Sequence, residues 1–403
     1  MTLSAAAVQA AYDAIQGSII RTPTVRAARL SLKLGLDLHL KLENLQHTNA
    51  FKARGALAKL LTLSPEELAV GVIACSAGNH AQGVAFHSER LGVRSVVVMP
   101  ESTPFNKVKR TADFGAEVIL HGASFDESVA FTLEKATAEG LTLIHPFDDP
   151  DVVAGQGTVA IEMLEQEPDL DAIVVPIGGG GLIAGIALAA KAIRPEIEII
   201  GAQSQHFDAV KAHLYGSEPT IVGATMAEGI AVRQPSPRNL EVIRSHVDQV
   251  VTATEEEIED ALFDLLSNEK LVAEGAAGAG LAVVKALQSS LSGRKVGLVL
   301  CGGNLDSRLL STLILRGLVK EGRITRLTFE IDDTPGQLSE ISRLIGESRA
   351  NVLEVIHQRM FQSVSLKQAE LDVVIEGRDW MHADEIVEKL RTAGFRVSKR
   401  QGL

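Results

Sequence analysis

Lys52 lies in the run Asn49-Ala50-Phe51-Lys52-Ala53-Arg54-Gly55-Ala56. Upstream, Leu36-Asp37-Leu38-His39-Leu40-Lys41-Leu42 is apolar at every second residue, the pattern of a half-buried strand. Downstream, Ala56-Leu57-Ala58-Lys59-Leu60-Leu61 is rich in helix formers. The lysine therefore falls near a helix start, among orphan amides and the positive end of the dipole. A positive setting disfavours the ammonium form, and an amine of lowered pKa is what a Schiff-base lysine or a proton-abstracting lysine needs. Two further stretches suit anions. An apolar run at 72–75 leads into Ser76-Ala77-Gly78-Asn79-His80 and then a helical pattern to Leu91-Gly92, so backbone amides at the helix start can hold an anion, although a plain turn between strand and helix has the same pattern. Gly178, Gly179, Gly180 and Gly181 end a strand and open a helix, and without side chains they let a phosphate approach several N–H groups.

Two other chemistries compete for neighbouring residues. Gly179-x-Gly181-x-x-Ala184 after a strand also fits a dinucleotide fingerprint, with Glu198 about twenty residues on. Glu198 stands inside the run 197–200, however, and a dinucleotide leaves Lys52 and Asn79 without a task. His145, Asp148 and Asp149 are polar neighbours in His145-Pro146-Phe147-Asp148-Asp149-Pro150, but no second histidine lies at ligand spacing, so they read as loop structure.

The elements that position these groups alternate. Residues 4–16 read as an amphipathic helix capped by Ser4, with Val8, Tyr12 and Ile15 on one face and Gly17 at its end. Strand-like runs at 95–99, 117–120, 141–144, 172–177, 197–202 and 296–300 are separated by helical patterns such as 124–139. Thr254-Glu255-Glu256-Glu257 has capping-box spacing and opens a helix through about 268. Such alternation predicts an α/β fold of parallel sheets covered by helices. Past residue 320 the pattern changes to strand 326–331, a turn at Asp333-Thr334-Pro335-Gly336, helix 336–347, strands 352–359 and 366–376, helix 381–393 and strand 395–400. The order βαββαβ is the ferredoxin-like α+β unit.

The lysine run resembles the Ser-Phe-Lys-x-Arg-Gly-Ala signature of the pyridoxal-phosphate (PLP) β-family, fold type II, and within it the threonine and serine dehydratases. Ser76-Ala77-Gly78-Asn79-His80-Ala81-Gln82-Gly83, His145–Pro150, Gly155-Gln156-Gly157-Thr158, the four glycines and Cys301-Gly302-Gly303-Asn304 match further landmarks in family order, from about residue 20 to 320. The chain departs from the pattern at Asn49-Ala50, where Gly-Ser is usual. The resemblance implies a two-lobed catalytic domain (1–320) of the tryptophan synthase β-like type, with a small lobe of about 50–150 inserted in a larger one and PLP in the cleft. It implies that Lys52 holds the cofactor and serves as base at Cα, with Phe51, Asn79, Gly178–Gly181 and Cys301 as cofactor contacts and Ser76–His80 around the substrate carboxylate. Asn79 would meet the cofactor's phenolic oxygen, and Cys301 its pyridine nitrogen. A neutral thiol there cannot hold the ring protonated, which favours β-elimination over transamination. Racemases of the family carry Ser-Ser-Gly-Asn-His in the loop, whereas Ala77 has no proton to give. Glu228 matches a segment near a cation site in some members; no other metal ligand is expected. Thr334-Pro335-Gly336-Gln337-Leu338 and Ala350-Asn351-Val352-Leu353 resemble the ACT regulatory domain (326–403), which implies an amino-acid effector, a branched-chain amino acid first, near Gly336 and Asn351, and pairing into a dimer or tetramer; an assembly module without ligand is the other reading.

Composition narrows the partners. The 403 residues carry 39 Lys and Arg against 51 Asp and Glu, a formal charge of −12, which gives no basic footprint for nucleic acid. Two cysteines make no disulfide framework, and no stretch reaches the length of a membrane span, so a cytoplasmic enzyme is expected. Threonine dehydration with serine as a second substrate leads. A serine or 3-hydroxyaspartate dehydratase or racemase follows, and from other classes a nicotinamide-dependent oxidoreductase or a silent amino-acid sensor.

Overall fold

The computed structural model describes residues 3–332, 334–358 and 368–400. The chain divides into two compact units, Met1–Leu305 and Asp306–Leu403, so the helix Ser307–Lys320 groups with the second unit. The first unit has two sheets, as the α/β alternation predicts. One has six strands in the order Thr24–Arg26, Asp37–Leu42, Lys295–Leu300, Ala172–Pro176, Glu198–Ser204, Gln249–Ala253, parallel apart from the first pair. The other has four parallel strands in the order Glu117–Leu120, Ser95–Met99, Val72–Cys75, Thr142–Leu143. Strands Ser95–Met99 and Ala172–Pro176 are buried throughout, which is why they read as unbroken apolar runs.

The strand at Asp37–Leu42 corrects its expectation. It is buried on both faces, and its alternate polar residues face a helix instead of solvent. His39 Nδ1 lies 3.2 Å from Glu167 and Lys41 Nζ 2.7 Å from Glu162, both carboxylates near the end of the helix Pro150–Gln166. That helix starts at Pro150, with the Asp149 side chain accepting from the N–H groups of Asp151 and Val152. It is buried along most of its length, and glycines let its neighbours approach: a Cβ on Gly155 would lie 2.7 Å from Arg54 O, and one on Gly157 2.6 Å from Gly185 O. The helix Pro150–Gln166 is thereby pressed between Lys52–Leu60 and Gly181–Ile193, the two helices that carry Lys52 and the glycine loop.

Local signals placed most helix starts. Ser4 Oγ accepts from Ala7 N–H, and Thr254 and Glu257 close a capping box on Glu255–Glu269. The predicted strand at 141–144 shrinks to Thr142–Leu143. The second unit is a four-stranded antiparallel sheet, Asn351–Gln358, Gln368–Glu376, Ile324–Asp332, Arg396–Arg400, with helices Gln337–Glu347 and Trp380–Thr392, in the expected chain order. Its core is built by alternation: Leu327, Phe329 and Ile331 of one strand meet Leu371, Val373 and Ile375 of the next. Asp333 of the predicted turn, and residues 359 and 366–367 of the predicted strands, lie outside the described residues.

Candidate active site

Lys52 is the first residue of the helix Lys52–Leu60, as its sequence context predicts. The segment before it is fixed by backbone pairing to the far end of the unit. Phe51 N–H donates to Cys301 O at 3.0 Å and Gly303 N–H to Asn49 O at 2.9 Å, and Ala50 bridges Gly302. Asn49 has φ +54°, a left-handed conformation that glycine adopts freely and asparagine tolerates, which accounts for asparagine at a position usually held by glycine. Lys52 Nζ donates to Pro146 O at 2.6 Å and lies 5.2 Å from the Phe51 ring centroid. Its pKa is lowered to about 8, and the cause is burial. The cause differs from the one the sequence suggests: the acidic groups that act on the amine, Cys301 and Glu274, favour its protonated form, and desolvation wins over them.

The segment His145–Pro150 ties Lys52 to the glycine loop. The Phe147 ring packs on Gly179, where a Cβ would come within 2.3 Å of it. Asn239 Nδ2 donates both to Phe147 O at 2.8 Å and to Gly179 O at 3.1 Å. Gly180 caps the helix Gly181–Ile193 at φ +91°, which needs glycine. The first-turn amides of that helix have no intrahelical acceptor and converge on the loop. His145 and the acidic pair are structural, as expected: His145 Nδ1 accepts from Asp148 N–H, Asp148 accepts from Ser236 Oγ, and Asp149 caps the next helix.

On the other side, Gly78 precedes the helix Asn79–Leu91, Ser76 Oγ accepts from Gly78 N–H, and Ala77 is half-buried. His80 is held by Ile144 O at 2.8 Å, and burial pushes its pKa down to about 3, so it is neutral. Asn79 Nδ2 donates to Glu274 at 2.8 and 3.0 Å, and Cys301 Sγ lies 3.7 Å from Glu274 Oε1. Burial, with the Glu274 charge beside it, raises the Cys301 pKa well above the usual thiol range, and burial raises that of Glu274. Glu274 escaped the sequence reading. It stands in Ala273-Glu274-Gly275-Ala276, where one carboxylate in a small-residue run was the available signal.

Behind Lys52 lies a second group that sequence reasoning missed. Arg54, fully buried, donates to Glu43 through Nε and Nη2 and to Glu162 through Nη1 and Nη2, each at 2.8 Å. Lys41 completes a buried set of two cations and two carboxylates. Two residues after Lys52, this set pins the lysine helix to the helix Pro150–Gln166 and to the strand Asp37–Leu42.

Glu228, the candidate cation ligand, is exposed and its carboxylate lies 2.5 Å from Lys107 Nζ; no cluster of His, Cys, Asp and Glu able to hold a metal ion occurs among the described residues. Glu198, the acid of the dinucleotide alternative, opens its strand and pairs with Arg294 at 2.7 Å. In the second unit, a cavity of about 330 Å³ is lined by Asp332, Thr334, Gly336, Gln337, Leu338 and His357 among others. Asn351 begins a strand at the Glu376 pairing and does not line it.

Residues 15–302 match the family described as pyridoxal-phosphate dependent enzyme. The chain is 43% identical over 396 residues to the L-threonine ammonia-lyase of Geobacter sulfurreducens, covering 97% of this chain and 98% of that protein. Among solved structures, the processed form of threonine deaminase isoform 2 from Solanum lycopersicum matches with a TM-score of 0.72 and 33% identity over 76% of this chain and 90% of that one. Serine racemase from Dictyostelium discoideum matches with 0.71 and 32% over 76% of this chain and all of that one. A family model that runs from the first helix to the Cys301 loop takes in every element described around Lys52, and the chain belongs to the pyridoxal-phosphate dependent enzyme family.

Proposed function

We propose that this chain is an L-threonine ammonia-lyase, which eliminates water from L-threonine to leave an enamine that a water then hydrolyses to 2-oxobutanoate and ammonia, with L-serine as a second substrate. The observation that carries the reading is the Lys52 amine, desolvated to a pKa of about 8, in a chain that matches an L-threonine ammonia-lyase along almost the whole of both proteins. The residues present fit the cofactor: an amine poised to join its aldehyde, a helix N-terminus of orphan amides behind Gly178–Gly181 for its phosphate, and a neutral thiol at Cys301. When bound, pyridoxal phosphate supplies an electron sink for the charge left at Cα.

In this reading Lys52 would hold the cofactor through its amine, and the same amine, when free, would take the Cα proton of the substrate. A pKa near 8 leaves a useful fraction of the amine unprotonated at neutral pH, which a surface lysine near 10.5 does not have. The loop Ser76–His80 receives the substrate carboxylate on the first amides of Asn79–Leu91. Cys301, a neutral buried thiol, would not hold the cofactor's ring nitrogen protonated, which favours loss of the β-hydroxyl over transamination. Ala77 offers no acid on the face opposite Lys52, which supports elimination over racemisation. Lys52→Ala tests the assignment. Turnover of L-threonine should fall by several orders of magnitude while the circular dichroism spectrum is retained, and near-normal turnover would refute it.

For the second unit the reading is an ACT-type domain that binds a branched-chain amino acid, isoleucine first, in the cavity beside Gly336. Its volume of about 330 Å³ and its mixture of Asp332, Thr334 and His357 with Ile331, Leu338 and Leu371 suit a small zwitterion with an apolar side chain. The edge strand Asn351–Gln358 leaves Leu353 and Val355 exposed, which supports pairing between copies and hence a homo-oligomer. No helix among the described residues is long and apolar enough to cross a membrane, and both cysteines are unpaired, which supports a cytoplasmic location.

A further inference from the structure

The polarity of one amide decides what Asn79 can do. An asparagine can turn either its oxygen or its nitrogen toward a neighbour, and only its surroundings fix which. Here a chain of contacts settles it. Thr48 O is a backbone carbonyl and can only accept, and Asn304 Nδ2 donates to it at 2.9 Å. The same nitrogen donates its other hydrogen to Asn79 Oδ1 at 2.8 Å. With the oxygen of Asn79 claimed, its nitrogen must face the opposite way, where the Glu274 carboxylate receives it at 2.8 and 3.0 Å. A flipped Asn79 would set oxygen against carboxylate on one side and nitrogen against nitrogen on the other.

The geometry at Glu274 leaves something over. Both carboxylate oxygens lie near Asn79 Nδ2, and they subtend at that nitrogen a much narrower angle than its two hydrogens do. One hydrogen can serve them both. The second hydrogen is left for another acceptor, for Asn79 Nδ2 makes no hydrogen bond to any described residue other than Glu274. Glu274 is itself placed by backbone, its N–H donating to Gly302 O at 2.9 Å. A Cβ on Gly302 would fall 2.5 Å from Glu274 Oε1, so glycine there leaves the carboxylate its place.

We propose that Asn304 and Glu274 are positioning residues that act through Asn79, locking its amide so that one N–H is always presented as a donor to an anionic oxygen of the bound cofactor. Asn304 holds the acceptor end and Glu274 the donor end. The last residue of Cys301-Gly302-Gly303-Asn304 thereby acquires a task separate from that of its cysteine. The inference rests on the reading that Asn79 touches the cofactor.

A double-mutant cycle in the full-length chain tests it. Wild type, Asn79→Ala, Asn304→Ala and the double variant are titrated with pyridoxal phosphate, recording Kd by fluorescence, the absorption maximum of the bound cofactor and the thermal midpoint. Each single variant should weaken Kd by about tenfold, the scale of one hydrogen bond to a charged group, and the double variant should be no weaker than Asn79→Ala alone. Asn304→Asp keeps the shape and removes the donor, so it should weaken binding at least as much, and it serves as the second variant where Asn304→Ala folds poorly. Glu274→Gln keeps an acceptor oxygen for Asn79 and should lose far less than Glu274→Leu. Effects of Asn304→Ala and Asn79→Ala that multiply in the double variant would overturn the proposal. So would Asn304 variants that bind normally while Asn79→Ala is weakened. A normal Kd for Asn79→Ala would overturn both the proposal and the contact beneath it.

Discussion

Replacing Lys52 by methionine should make the cofactor-free protein more stable, and the size of the gain can be worked out. The unfolded lysine has a pKa of 10.5 and the folded one about 8. Folding therefore expels a proton between these values, and the unfolded chain binds more protons there. At pH 7 the burden on the folded state is about 3 kcal/mol. It is constant below pH 8, shrinks as pH rises from 8 to 10.5, and vanishes above. Methionine fills similar space without a charge but loses the hydrogen bond to Pro146 O, about 1 kcal/mol. The net gain should be about 2 kcal/mol at pH 7 and close to zero at pH 10. Denaturant unfolding of the cofactor-free proteins, followed by circular dichroism at both pH values, measures this. Trp380, the only tryptophan in the chain, lies in the second unit, so its fluorescence gives an internal control that should not move. A variant less stable than wild type at pH 7, or an advantage that does not shrink by pH 10, would show that burial does not set the state of this amine.

Two other outcomes are expected. Glu162→Gln removes one carboxylate from the buried set and leaves Arg54 and Lys41 undercompensated; unfolding free energy should drop by about 3–5 kcal/mol, and a loss below about 1 kcal/mol would mean water reaches the cluster. On the proposed reading, Ala77→Ser adds a proton donor to the Ser76–His80 loop and should give measurable racemisation of serine; chiral analysis after long incubation decides it, and absence of D-serine would mean Ala77 is not what blocks the second face.

What was legible in the sequence was local. Lys52, the loop at Ser76–His80, the four glycines and Cys301 sit at junctions between strands and helices, and such junctions are marked by small residues and caps that a single pass along the chain can detect. The alternation of the second unit was readable for the same reason. The groups that position these residues were hidden because they depend on distant partners. His39 and Lys41 stand on the side of the strand that alternation assigns to solvent, and only the helix Pro150–Gln166 laid across them turns that face inward. Glu274 lies 195 residues from Asn79, and nothing near it in the chain marks it as part of a site. The lowered pKa of Lys52 was anticipated for the wrong reason, because dipole direction can be inferred from a motif whereas burial cannot.

The pairing of residues 49–51 with 301–303 has a consequence for how the protein comes into being. The chain emerges from synthesis N-terminal end first. The segment leading into Lys52 therefore waits, without its backbone partners, while about 250 further residues are made. Asp37–Leu42 waits similarly for Lys295–Leu300, its parallel neighbour in the large sheet. Until the strand at Lys295–Leu300 and the loop after it arrive, residues 49–51 lack the backbone partners that fix the approach to Lys52, although Arg54 can already anchor the helix behind it. Closing a loop of that length is slow compared with local contacts, so the pairing of 49–51 with 301–303 is a late contact of the site.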